Sequence, residues 1–393
     1  GGYLIGGDFT KVGEYTVNRF AKLNHDGSLD LSFNSSVSGS VRAVAVQKDG
    51  KVVIGGEFLS VNSVPRNRIA RLNQDGTLDT SFDPGASARV LCITLQADGR
   101  ILIGGEFSTI AGTARNGFAR LESNGAIDGS MGATLSSGSV WAIRVQPDGA
   151  ILLGGIFNEI NSLQQSNLAK IDSQGAIESD FVASVSGAVL NIHEQADGKL
   201  LIGGGFASVN GKNASYFARL FGNGSLDESL NPQFLGGSVS SIASDFMGRI
   251  IVGGNFSSVD GVSRSKLARL ENHPVVSSLD VVDGSTIRWS RGGTLSEVDV
   301  VSFEIRSRGE KNWMTLGEAE RFPGGWELNG LELPDSAMVR AQVTTVNKNS
   351  SYHEIVELSV FGDLSPVMQV LNHQGGALAS PPQPIDFGRV PQN

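Results

Sequence analysis

Six basic residues recur at matching places along the chain: Lys22, Arg71, Arg120, Lys170, Arg219 and Arg269. Each sits between an alanine and a leucine or isoleucine, as in Ala70-Arg71-Leu72. A ring of cations at one level of a repeated structure offers a rim to an anionic ligand. The same placement suits a repeated salt bridge or a solvated strand face, and both readings stand on sequence alone. Segments such as Asp26-Gly27-Ser28-Leu29-Asp30 and Asn223-Gly224-Ser225-Leu226-Asp227 resemble fragments of calcium loops. Such a loop wants alternating oxygen ligands at three or more positions and a terminal acid. Here two groups flank a turn, so capping is the expectation. Calcium is the weakly supported alternative, and no other cofactor or metal site is expected.

The six Gly-Gly-x-Phe segments are not phosphate loops, because no Gly-Lys-Ser/Thr ending or helix follows them. The histidines His25, His193, His273, His353 and His373 are scattered without metal spacing. No Ser-His-Asp arrangement and no His-Glu-x-x-His motif can be traced, so no catalytic residue is assigned. Among Trp141, Tyr216, Trp289, Trp313 and Trp326, Trp141 is the aromatic most suited to ligand contact. Its counterparts in the matching strands are Arg42, Leu91, Leu190 and Ser240, a variability that suits a surface or channel-facing position. The candidate binding residues are thus Trp141, Arg71, Arg120, Arg219 and Arg269.

These residues are carried by a repeat. Apolar segments closed by Gly-Gly occupy 3–9, 52–58, 101–107, 151–157, 200–206 and 250–256, and their first glycines are Gly6, Gly55, Gly104, Gly154, Gly203 and Gly253. A period of about 50 residues held over six copies marks a repeat architecture. In the second copy, residues 41–46 alternate as a half-buried strand does. Asp49-Gly50 then supplies a hairpin turn, 51–58 a second strand, 60–67 a polar loop, 68–72 a third strand, Asp75-Gly76 another turn and 77–82 a fourth strand. Four short strands per unit predict an all-β fold, a β-propeller, with a solenoid as the rival. Six blades are visible. The first lacks its leading strand, and the native ring is expected to hold six or seven.

These same residues carry a family resemblance. Ile54-Gly55-Gly56-Glu57-Phe58, Arg66-Asn67-Arg68-Ile69-Ala70-Arg71-Leu72 and Asp75-Gly76-Thr77-Leu78-Asp79-Thr80-Ser81-Phe82 resemble the bacterial delta-60 repeat family of β-propellers. The likeness recurs in register from residue 1 to about 272. It is weaker in copy four, around Glu178, and in copy six, where Asn272-His273 replaces the late turn. It implies a predicted surface or secreted multidomain protein and brings no shared catalytic activity. The propeller is assigned to 1–273. Residues 274–362 change rhythm and read as an immunoglobulin-like β-sandwich. They resemble a fibronectin type III module through Trp289, Phe303-Glu304-Ile305-Arg306 and Val339-Arg340-Ala341, with Met338 in place of the usual tyrosine and a final strand over 352–360. Residues 363–393 read as a linker and the start of a further immunoglobulin-like module.

Composition bounds the partners. The 393 residues are 40% hydrophobic and 18% charged, with a net charge of −9. That balance disfavours nucleic acid, and no run of 18 apolar residues predicts a membrane helix. The 51 glycines fall at fixed places in the repeat, which fits turn chemistry. The single cysteine, Cys92, lies in an apolar run and is expected in the core. Gly1 aligns with Gly50, inside a repeat, so an N-terminal part, with or without a secretion signal, is expected to precede it. The leading expectation is a non-enzymatic extracellular or cell-surface scaffold. Its propeller would present the loops 60–67, 108–116, 158–167, 208–215 and 257–265 to protein or glycan. A propeller enzyme acting on carbohydrate in its channel, or a structural subunit of a surface layer or filament, are the alternatives.

Overall fold

The structure, a computed structural model, describes residues 2–344 apart from 246–247, 273–274, 294–297, 299, 308–309, 311, 323 and 335–336, together with 357–361. The expected module over 363–393 lies outside the described residues, as do His273, His353 and His373 and most of the strand expected over 352–360. Every regular element among the described residues is a strand.

Each blade is a small antiparallel sheet. In the second, a leading strand Val41–Val46 pairs with a middle strand Val52–Gly56, which pairs in turn with an outer strand Ile69–Leu72. The register sets Val44 opposite Ile54 and Ile54 opposite Ala70. The Asp49-Gly50 turn closes the first pair, with Gly50 at φ 80°, a conformation that glycine reaches without strain. Blades three to six repeat this order, while the first consists of Tyr3–Gly6 paired with Phe20–Leu23. The leading strands adjoin one another from blade to blade, as the inner strands of a propeller do.

Two local expectations are corrected. The segment 77–82 is not a strand but a single bridge, Leu72 to Leu78, followed by a turn. The Asp79 carboxylate causes the turn: its Oδ1 accepts the backbone N–H and the hydroxyl of Ser81, and this pulls the chain out of extension. The polar loop 60–67 is itself a hairpin of two-residue strands, Ser60–Val61 and Val64–Pro65, with Asn62 and Ser63 both at positive φ. That is the backbone a tight hairpin turn requires.

Consecutive blades share apolar cores, one for each of the five pairs from first–second to fifth–sixth. In blades two to five, one face meets the blade before and the other meets the blade after. Val53 and Ile69 of blade two join Val90, Ile93, Ile101 and Ile103 of blade three in one cluster. The first glycine of the Gly-Gly pair makes this approach possible. A Cβ at Gly154 would stand 2.7 Å from Val189 Cγ1, and one at Gly203 2.7 Å from Val239 Cγ1.

Residues beyond the sixth blade form two four-stranded antiparallel sheets around one core. The first contains Val275–Asp283, Thr286–Gly293, Gly325–Leu328 and Glu320–Phe322 in that spatial order. The second contains Met314–Glu318, Val300–Ser307, Ala337–Thr344 and Glu357–Phe361. Trp289 is fully buried between them, packed with Phe303, Ile305 and Val339.

Candidate functional site

The basic ring is spent on ion pairs in most blades. Arg71, Arg120 and Arg219 are buried in outer strands. Each guanidinium pairs with the aspartate eight residues on: Arg71 with Asp79 at 2.9 Å, Arg120 with Asp128 at 2.6 Å and Arg219 with Asp227 at 2.8 Å. A second nitrogen of each crosses to the next blade. Arg71 and Arg120 donate to the carbonyls of Ser123 and Ser173, both at 2.6 Å, and Arg219 donates to Asn272 Oδ1 at 2.9 Å. Lys22–Asp30 and Lys170–Glu178 are the lysine versions. Arg269, in the outer strand Leu267–Leu270, has no ion pair among the described residues. The side chains thus staple blade to blade, and the five candidates converge on no common point. The eight-residue spacing to the acid was the signal in the sequence.

The aspartates of the Asp-Gly-x-Leu-Asp segments are likewise occupied by local hydrogen bonds. Asp26 Oδ1 accepts from Ser28, and Asp75 Oδ1 from Thr77. The second aspartate divides its oxygens between a turn serine and the basic side chain. Hydrogen bonds from Ser32 and Lys22 hold Asp30 down at a pKa of about 2. Burial acts to raise Asp128, but bonds from Ser130 and Arg120 outweigh it and leave it at about 2. Cys92 is buried and burial pushes its thiol well up; its sulfur packs where a Cβ on Gly104 would stand.

Trp141 occupies a β-bulge. The leading strand Ser139–Val145 shifts register between Val140 and Ala142, and Arg42, Leu91, Leu190 and Ser240 stand at the same bulge in their blades. A bulge re-aims one side chain. Here it turns the half-buried indole so that Nε1 donates to Ser139 Oγ at 2.7 Å. Of the other aromatics, Trp289 is core, and Trp313 lies between the guanidinium groups of Arg306 and Arg340 at 4.8 and 4.4 Å.

Sequence reasoning missed a polar group further along the leading strands. Arg144 of blade four pairs with Glu194 of blade five at 3.0 Å, and Gln146 donates to the same carboxylate at 2.6 Å. His193 of blade five meets Ser244 of blade six at 2.8 Å between Nε2 and Oγ. The same positions carry Ala45 and Leu95 between blades two and three, both in the apolar core. Only comparison of the copies column by column could have found them.

The short hairpins form a rim. Their first strands bury one apolar residue each, Val61, Ile110, Ile160, Val209 and Val259. Their second strands are largely exposed and differ in every blade: Tyr15–Thr16, Val64–Pro65, Thr113–Ala114, Leu163–Gln164, Lys212–Asn213 and Val262–Ser263. At the tip, Asn62, Asn161 and Asn210 clamp two neighbours. Each Oδ1 accepts from the preceding linker (Ser36, Thr134, Ser184) and each amide nitrogen donates to the outer turn (Gly76, Gly175, Gly224). Blade three has Ala111 at this place. There a shallow cleft of 410 Å³ opens, lined by Ser81, Asp83, Pro84, Ala111, Gly112, Asn124, Gly125 and Ala126. Ser81, Asn124 and the half-exposed Asp83 carboxylate, 3.4 Å from Arg66, are its polar lining residues. Such a surface can take a hydrogen-bonding ligand group. No group of three or more His, Cys, Asp or Glu side chains able to hold a metal occurs among the described residues.

Set beside known protein families, the chain matches a model described as "Domain of unknown function (DUF5122) beta-propeller" over residues 1–33, 47–82, 96–130, 146–181, 195–230 and 248–272, just over half of its length. The matched segments span the middle strand, hairpin, outer strand and turn of successive blades. No curated protein matches the chain.

Proposed function

We propose, starting from the fact that the chain belongs to the DUF5122 β-propeller family, that it is a non-enzymatic scaffold at the cell surface or outside the cell. Its hairpin rim would contact protein or glycan. One observation carries this: the residues repeated from blade to blade are consumed by turns, packing, ion pairs within the blade and hydrogen bonds to the next one, while the exposed second strand of each hairpin changes its side chains every time. The cleft at Ala111 is the centre of the contact face. The two sheets after the sixth blade act as a spacer of the fibronectin type III kind. Their strand order and the buried Trp289 in the second strand support that assignment.

The experiment is a glycan and protein binding screen on the full chain, repeated with Ala111→Asn. Asparagine at this place rebuilds the clamp seen at Asn62 and fills the cleft. Binding should fall at least about tenfold while stability holds or rises by about 1 kcal/mol, the worth of a typical hydrogen bond. Binding unchanged by Ala111→Asn would remove the cleft from the contact face.

A second reading, a carbohydrate-active propeller enzyme, is favoured by the Ser244–His193 contact at 2.8 Å on the leading strands. Glycoside hydrolysis on a panel of chromogenic sugars separates the two. Turnover abolished by Ser244→Ala or His193→Ala would overturn the scaffold reading.

A further inference from the structure

In three blades an asparagine at the hairpin tip answers one backbone donor and one backbone acceptor at once. The Oδ1 of Asn62, Asn161 and Asn210 accepts from the linker N–H of Ser36, Thr134 and Ser184 at 2.7, 2.9 and 2.7 Å. The Nδ2 donates to the turn carbonyl of Gly76, Gly175 and Gly224 at 3.2, 2.9 and 3.1 Å. Blade six has Asp260 at this place. Its Oδ1 accepts from Gln233 N at 2.7 Å, so it keeps the acceptor half.

Blade three keeps the frame of this clamp and lacks the group. Ala111 stands at φ 50°, beside 49°, 53° and 50° for Asn62, Asn161 and Asn210. Asparagine tolerates that region better than alanine does. The Ala111 N–H still donates to the linker, to the Pro84 carbonyl at 2.7 Å. The turn still closes, with Gly125 N–H donating to Glu122 O at 2.9 Å. Gly85 N–H and the Gly125 carbonyl are the counterparts of the two clamped groups. Neither has a hydrogen-bond partner among the described residues. Gly125 is buried. It lines the 410 Å³ cleft together with Pro84, the residue before Gly85.

We propose that the cleft receives the side-chain carboxamide of an asparagine or glutamine on a protein partner, a proposal that rests on the reading of the rim as a contact face. The partner's oxygen accepts from Gly85 N–H, and its amide nitrogen donates to the Gly125 carbonyl. The ligand completes from outside the clamp that three blades complete from within. The same chemistry disfavours two relatives of the carboxamide. A carboxylate has no hydrogen to give the Gly125 carbonyl, and the Asp83 carboxylate lines the same cleft. The acetamido group of a glycan has a single N–H, held trans to its oxygen, whereas a primary amide has a second one on the oxygen's side.

The test pans a displayed random heptapeptide library on the full chain. Counter-selection uses Ala111→Asn, whose own side chain takes both groups. Recovered peptides should share one asparagine or glutamine and should shift the Gly85 amide resonance. Replacing that residue by the matching acid should weaken binding at least about tenfold, the effect of one buried acceptor left unpaired. Ala111→Asp is the control within the chain. It satisfies Gly85 alone and should melt below Ala111→Asn; equal melting would overturn the assignment of the two groups. Peptides that bind at the cleft without a carboxamide, or that tolerate the acid, overturn the carboxamide proposal and leave the contact face standing. Recovery of no peptide that distinguishes the chain from Ala111→Asn overturns both. N-acetylglucosamine that shifts the Gly85 resonance and displaces the peptides overturns the proposal in favour of a glycan.

Discussion

Replacing Arg120 by methionine tests whether the basic ring is structural. Arg120 and Asp128 have side chains only 2% and 4% exposed. The guanidinium makes three contacts: Asp128 Oδ2 at 2.6 Å, the Ser173 carbonyl of the next blade at 2.6 Å and Ser130 Oγ at 3.1 Å. Methionine keeps much of the apolar stem and removes all three. Asp128 is then left buried with Ser130 and with Arg100 at 3.5 Å. Stranding one member of a buried pair costs about 3–5 kcal/mol. The matching change Lys22→Met removes a partner whose side chain is 32% exposed, where the usual worth of an ion pair is about 1 kcal/mol or less. The double variant Arg120→Met/Asp128→Leu should recover much of the loss, because an apolar pair of similar volume removes the stranded charge. Urea unfolding at neutral pH, followed by tryptophan fluorescence and by hydrogen exchange at Phe118–Leu121, gives all three numbers. The reasoning fails if Arg120→Met costs no more than Lys22→Met, or if the double variant costs the sum of its parts.

Three further outcomes follow from the same geometry. Asp30 and Asp128 titrate near 2 in the folded chain, below the ordinary aspartate value of about 3.9. Their contribution to stability is therefore complete above about pH 4 and is lost as pH falls toward 2; urea midpoints taken down this range should drop, and a flat profile would contradict the pairing. Gly154→Ala places a Cβ 2.7 Å from Val189 Cγ1 and should cost about 1–3 kcal/mol through overpacking, with exchange accelerating on both sides of the blade four–five interface. Trp289→Ala should cost about 3–5 kcal/mol, read as loss of exchange protection over 279–343 while the blades keep theirs.

The repeat period makes the blades legible from residue order alone. Its fixed glycines, Asp-Gly turns and apolar alternation all point to one answer, and the family match falls on the same segments. What the sequence hid is local. Leu78 lies in a stretch that alternates like a strand, but Asp79 bends the chain through Ser81, so the fourth strand shrinks to one bridge. The rim hairpins have strands of two residues, too short for any periodicity to register. For the arginines the sequence left a cationic rim and a repeated salt bridge both open, and it is the fold that brings the aspartate eight residues on back against Arg71, Arg120 and Arg219. Ala111 was visible as a departure from Asn62, Asn161 and Asn210. Its meaning required knowing that those asparagines bridge linker and turn.

The departures separate packing from purpose. Between blades two and three, Ala45 and Leu95 complete an apolar core, which shows that the architecture needs nothing more at that place. Between blades four and five the same place holds Arg144 and Glu194, and between five and six it holds His193 and Ser244. A buried ion pair must repay the desolvation of both charges, and an apolar pair of similar size often does as well or better. Stability therefore does not demand these polar residues. Arg144 meets Glu194 and His193 meets Ser244 across adjacent leading strands, where directional contacts of this kind favour one register. By the same logic Ala111 is the opposite kind of departure: it gives up two hydrogen bonds that three other blades make, and what it yields in return is open polar surface on the rim.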